Sequence, residues 1–94
     1  METRIANQDA RSAVESLQEF KGSNTFGRVL SDRCYVVYSY GEHFPIYAYI
    51  NGQWYGNKDK YSQTTSRHQS QLRPNVAKIY VVSTEELQAN IAAA

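Results

Sequence analysis

The residues best suited to chemistry lie between Lys58 and Arg73, where the chain reads KDKYSQTTSRHQSQLR. Three consecutive hydroxyls, Thr64, Thr65 and Ser66, precede Arg67 and His68, and a hydroxyl near an imidazole is the starting material of nucleophilic catalysis. The pattern stops there. A hydrolase also needs a third group to orient the base, and the chain has no nucleophile elbow, no glycine-rich phosphate loop and no paired carboxylates. Neither His43 nor His68 has a carboxylate at metal-ligand spacing and Cys34 is the single cysteine, so no metal, cofactor or disulfide is expected. These residue types point instead to a non-enzymatic binding corner. Hydroxyls and free amides at a helix start accept an anion, and Lys58, Lys60, Arg67, His68 and Arg73 add positive charge around it. Helix capping alone accounts for one of the three hydroxyls.

Composition narrows the class of partner. A formal net charge of +1 excludes both a binder that relies on bulk positive charge and an acidic nucleic-acid mimic. The charge is unevenly placed, because Lys58, Lys60, Arg67 and Arg73 face only Asp59 within their segment, while Glu2, Asp9, Glu15 and Glu19 tilt the first twenty residues the other way. Eight tyrosines in 94 residues suit either a small sheet with one wet face or a contact surface. The length allows one domain, 1–94, with one modest core. No apolar run is long enough to span a bilayer and METRIANQDA lacks the apolar core of a signal peptide, so no membrane association and a cytoplasmic location are expected.

The elements that must position the segment follow from periodicity. Ala10, Ala13, Val14, Leu17 and Phe20 share one helical face, predicting a helix over 7–20 with Asn7 as its cap and Gly22 as its stop. Thr25–Ser31, interrupted by Gly27, and the apolar run Cys34–Tyr40 read as strands, the latter central. Phe44–Ile50 follows, with Pro45 at its start or on an open edge. Asn51-Gly52 then matches a two-residue type I′ turn, which sets Ile50 opposite Gln53, Tyr49 opposite Trp54 and Ala48 opposite Tyr55. One face of this hairpin is aromatic, with Tyr47, Tyr49 and Trp54 either packing under the first helix or forming a stacking platform. Ser66 and Gln69 have the spacing of a capping box, predicting a short helix near 66–72 stopped by Pro74. Val76–Val82 reads as a second core strand, and Ser83 with Glu86 opens a helix over 84–93. The expected architecture is α+β: an antiparallel sheet of four or five strands, one face covered by the N-terminal helix, with short helices near 66–72 and 84–93.

The stretch from Tyr35 to about Pro74 resembles a family of small proteins encoded by tailed bacteriophages, prophages and plasmids. The likeness rests on Tyr38, Ser39, Tyr40, Pro45, Ile46, Trp54 and Tyr55, and above all on Lys60, Tyr61, Ser62, Thr64, Thr65, Ser66, Arg67, His68 and Gln69. It implies a virus or mobile element acting inside a bacterial cell and brings no catalytic residues with it. Together with the tyrosine excess, it makes an inhibitor of a host macromolecular complex the leading expectation. Such an anti-defence protein, for example an anti-CRISPR, would dock on a host or viral protein complex through aromatic and arginine anchors. The alternative is a nucleic-acid- or nucleotide-binding module, with Tyr47, Tyr49 and Trp54 stacking bases and the basic 58–73 segment holding phosphates. An uncovered sheet edge would also allow a homodimer.

Overall fold

The computed structural model describes residues 7–59 and 62–94, so Lys60 lies outside the described residues. Helix α1 (Asn7–Glu15) is followed by β1 (Phe20–Lys21), β2 (Thr25–Ser31), β3 (Cys34–Ser39), β4 (Pro45–Ile50) and β5 (Gln53–Asn57). Helix α2 (Gln63–Gln71), β6 (Tyr80–Val82) and α3 (Thr84–Ala93) complete the chain. The strands form one sheet in sequence order, antiparallel from β1 to β5, with β6 added parallel to β5. The fold is α+β, as expected, but the sheet has six strands and its last pairing is parallel. The reason is α2: a helix between two strands returns the chain to the same end of the sheet, and the second strand then runs in the direction of the first.

The β4–β5 hairpin forms in the expected register, with Tyr49 opposite Trp54 and Ile50 opposite Gln53. Asn51 (φ 51°) and Gly52 (φ 84°) supply the two positive angles that a type I′ turn requires. Pro45 opens β4 opposite Tyr38, at a register shift where a missing ladder donor costs little. Every residue of β3 is buried, because the apolar side chains on both of its faces are covered. On one face Tyr35, Val37, Tyr47 and Trp54 pack with Ala10 and Val14 of α1 and with Leu72. On the other, Val36, Tyr38, Ala48 and Ile50 pack with Leu87 and Ile91 of α3. Both sheet faces therefore carry helices, where a single covered face was expected; the apolar 34–40 run is the physical reason, since a strand apolar on both sides needs two lids.

Two further boundaries differ. Helix α1 ends at Glu15 instead of Phe20, because Leu17 adopts the left-handed conformation (φ 57°) and closes a Schellman turn. Gln18 N–H donates to the Ala13 carbonyl (2.9 Å) and Leu17 N–H to that of Val14 (3.1 Å). The turn frees Phe20 to pair as β1, and Tyr35 Oη holds the new path by donating to the Gln18 carbonyl at 2.7 Å. At the other end, only Tyr80–Val82 of the expected Val76–Val82 core strand is extended, and it occupies the sheet edge with Val81 63% exposed.

Gly27 is needed where β2 pairs with β1, opposite Phe20. A Cβ there would overlap the Tyr35 hydroxyl and lie 2.6 Å from Phe20 Cε1, both buried groups. Gly27→Ala should therefore destabilise by about 1–3 kcal/mol through overpacking, outweighing the roughly 0.4–1 kcal/mol gained from a stiffer unfolded chain. Chemical denaturation compared with wild type reads the difference directly; an unchanged or raised midpoint would contradict the crowding.

Candidate functional site

Helix α2 begins one turn earlier than the Ser66–Gln69 capping box predicts. Ser62 is the cap, extended at φ −161°, and its Oγ accepts from Thr65 N–H at 3.1 Å. Shifting the start turns Thr65, His68, Gln69 and Leu72 inward as one helical stripe, and all four are buried. Their spacing of three, four and seven was the signal that could have shown this from the sequence, but their polarity hid it. Thr64 and Arg67 face solvent and Ser66 is half-buried.

The expected cationic corner at Arg67 and His68 is thus corrected: His68 is only 4% exposed, and charging it would mean stripping an imidazolium of water. Its Nδ1 lies 2.8 Å from Ser39 Oγ, which is fully buried, and the Tyr40 ring lies over it with centroids 5.6 Å apart. Burial, and secondarily the neighbouring Arg67 guanidinium, push the imidazole below its ordinary value. This is a hydroxyl–imidazole pair, and both of its members are buried. Of the two readings of the aromatic hairpin face, packing under the first helix is the one found, and the stacking platform is not. Tyr47 and Trp54 are each 7% exposed and Tyr49 is half-buried, because this hairpin face is the one that α1 and α2 cover.

Around α2 the polar groups hold the crossover together. Gln69 Nε2 donates to the carbonyls of Asn57 (3.0 Å) and Asp59 (3.2 Å), fixing the segment that leaves β5. Asn57 Nδ2 donates to the Pro45 carbonyl and to Thr84 Oγ1, both at 2.8 Å. Asp59 Oδ2 accepts from Thr84 N–H at 2.8 Å, and that bond lowers the carboxyl's pKa. At the far end of α2, carbonyls that lack helical partners are met by side chains: Tyr47 Oη donates to Gln69 O (2.6 Å) and Arg11 Nη2 to Ser70 O (3.0 Å). Burial raises the Tyr47 hydroxyl's pKa, with Arg73 and Arg11 pulling in the opposite direction.

Over this network lies an open cleft of about 400 Å³. Buried Tyr47, Asn57 and Gln69 form its floor, and exposed Lys58, Ser70, Arg73 and Val81 form its rim. Among the described residues two cations and no carboxylate line it, so it suits an anionic or strongly polar group. Of the residues expected to bind, the cleft gathers Lys58, Arg73 and, as floor, Tyr47; Thr64, Thr65, Ser66, Arg67 and His68 do not line it. Val81 was missed because it reads as core strand. A second recess of about 450 Å³, between β1 and β2, carries opposed charges, Glu19 with Lys21 and Arg28. There Glu19 accepts from Val29 N–H (2.9 Å), and Arg28 lies 3.4 Å from Glu42. Among the described residues no group of three His, Cys, Asp or Glu side chains is placed to hold a metal ion, and no helix is long and apolar enough to cross a membrane.

The buried imidazole makes stability pH-dependent. Its folded pKa is depressed, so between that value and the unfolded value near 6.5 the unfolded chain binds more protons, and stability is lost as pH falls through this window. Urea midpoints of wild type should drop between pH 7.5 and 5. His68→Ala should cost about 1–3 kcal/mol at pH 7.5, by leaving buried Ser39 unpaired, and should remove most of the fall above pH 5. A His68 resonance titrating at or above the ordinary imidazole value would contradict this.

Comparison with protein families, curated proteins and solved structures finds no match to the chain, so the cleft's chemistry is read from its own residues.

Proposed function

We propose that the chain is a phage- or mobile-element-encoded docking protein that inhibits a host macromolecular complex, in the manner of an anti-defence protein such as an anti-CRISPR. The genomic setting comes from the resemblance of residues 35–74; the mode of action comes from the surface. The carrying observation is that Lys58 and Arg73 border exposed Val81 on the rim of one cleft, with half-exposed Tyr80 next in the strand. Apolar side chains beside paired cations, around a recess, are the ingredients of a protein-binding hot spot. Burial of Tyr47 and Trp54 removes the rings that single-stranded nucleic acid would stack on, which favours a protein partner over a nucleic acid. Binding is favoured over catalysis because the best-placed nucleophile–base pair, Ser39 with His68, lies beneath the surface. The action proposed is therefore occlusion of a partner's working surface, inside the bacterial cell that the resemblance implies.

Affinity capture from bacterial lysate should recover a defined partner protein at near-stoichiometric yield. The double substitution Lys58→Glu with Arg73→Glu should weaken that capture at least tenfold while leaving the melting temperature within a few degrees, since both side chains are exposed. Tight binding of single-stranded DNA or RNA at low salt, with no protein captured, would overturn the reading.

A further inference from the structure

Strand β6 ends the sheet, and its hydrogen-bonding pattern shows which groups face outward. Lys58 N–H donates to the Val82 carbonyl at 2.8 Å, which turns Val82 toward β5. Successive residues of a strand direct their amide groups to opposite sides, so the N–H and C=O of Val81 point away from β5, along the open edge. The Val81 side chain is itself 63% exposed and borders the cleft that Lys58 and Arg73 rim. An outward donor and acceptor, an exposed apolar side chain and the two rim cations thus meet at one short edge.

We propose that this edge is a β-augmentation site for an extended acidic segment of a partner protein, an inference that rests on the docking reading above. The segment lies alongside β6, exchanges backbone hydrogen bonds with Val81 and places a carboxylate in the cleft between Lys58 and Arg73. Charge complementarity selects this occupant. Asp59, which accepts from Thr84 N–H and feels the Lys58 charge, and Glu86, held in the α3 cap, are not among the residues that line the cleft, so its described lining is cationic. The same cations disfavour a second copy of the chain: isologous pairing about Val81 would bring two basic clefts together. A phosphodiester backbone would satisfy the charges but could not exchange paired amide bonds with the strand.

Panning a random dodecapeptide display library on the folded protein tests this. Enriched peptides should combine Asp or Glu with β-branched or aromatic residues. A synthetic peptide of the consensus should shift the amide resonances of Lys58, Arg73 and Val81 and slow exchange of the Val81 amide at least tenfold. Val81→Pro removes the outward donor, together with the valine side chain, and no donor of the β5–β6 ladder, so it should keep that ladder and lose at least tenfold in peptide affinity. Were that variant to unfold, the exchange protection in wild type decides alone. The proposal is overturned if no peptides or only non-acidic ones are enriched, if folded Val81→Pro binds as well as wild type, if inorganic phosphate alone reproduces the shifts, or if the free protein pairs with itself through this edge. A host partner captured equally by wild type and by Val81→Pro would leave the docking reading intact and remove this one.

Discussion

The β5–α2–β6 crossover depends on one buried amide side chain. Gln69 Nε2 bridges the carbonyls of Asn57 and Asp59, so the chain leaving β5 and the helix that follows it are tied within a single side chain's reach. Asn57 extends the tie to Pro45 in β4 and to Thr84 at the start of α3. These bonds connect elements on both faces of the sheet. Hydrophobic burial could press α2 against the sheet in several rotations; only one rotation delivers Gln69 to those carbonyls, and the same rotation sets Arg73 opposite Lys58. Gln69 Oε1 is buried with no hydrogen-bond partner among the described residues, so the amide is held through its two donations. The cleft therefore follows from how the crossover is fastened.

The tyrosine excess has a structural explanation of the same kind. Tyr35 and Tyr47 bury their rings on the sheet face beneath α1 and α2, and each hydroxyl reaches a backbone carbonyl at a helix end: Gln18 just after α1 and Gln69 near the end of α2. Phenylalanine would fill the space and leave those carbonyls unpaired. A small domain with little core gains specificity from rings that both fill volume and tether a helix end. Tyr55 and Tyr80, which pair across β5 and β6 at 5.7 Å between centroids, do similar packing work on the outer strands.

How much was legible depended on whether a residue's local chemistry agreed with its tertiary role. Asn51-Gly52 could be read with its register because both residues favour positive φ and nothing distant competes. The α3 capping box at Ser83 and Glu86 was equally local and is present as expected. Helix α1 was read too long because Leu17 gives no composition signal for a left-handed residue; the Schellman turn is favoured by what Tyr35 and Phe20 do elsewhere. The TTSRHQ segment suggested a surface because its side chains are polar. Three of them, Thr65, His68 and Gln69, are instead the inward stripe of α2: the cap residue Ser62 donates to the Thr65 hydroxyl, and Ser39 and Asn57 from distant strands pair with His68 and Gln69. Polarity predicts exposure only where no partner is supplied, and partners come from the fold.

That inversion changes which part of the site sequence reasoning can locate. Lys58 and Arg73 lie fifteen residues apart in sequence at the two ends of the crossover, and they meet because a helix of nine residues returns the chain to the sheet. Val81 joins them because parallel pairing places it opposite Gly56, two positions before Lys58. Gly56 is crowded, with a hypothetical Cβ only 3.0 Å from Ile79 and 3.2 Å from Tyr47, so β5 contributes no side chain there and the cleft stays open toward the edge. The basic rim, the apolar edge and the recess between them are consequences of one parallel strand added beyond a hairpin. An antiparallel sixth strand would exchange the positions of Tyr80 and Val82 against β5, and so break the Lys58 N–H to Val82 carbonyl bond that now fastens the edge beside the cleft.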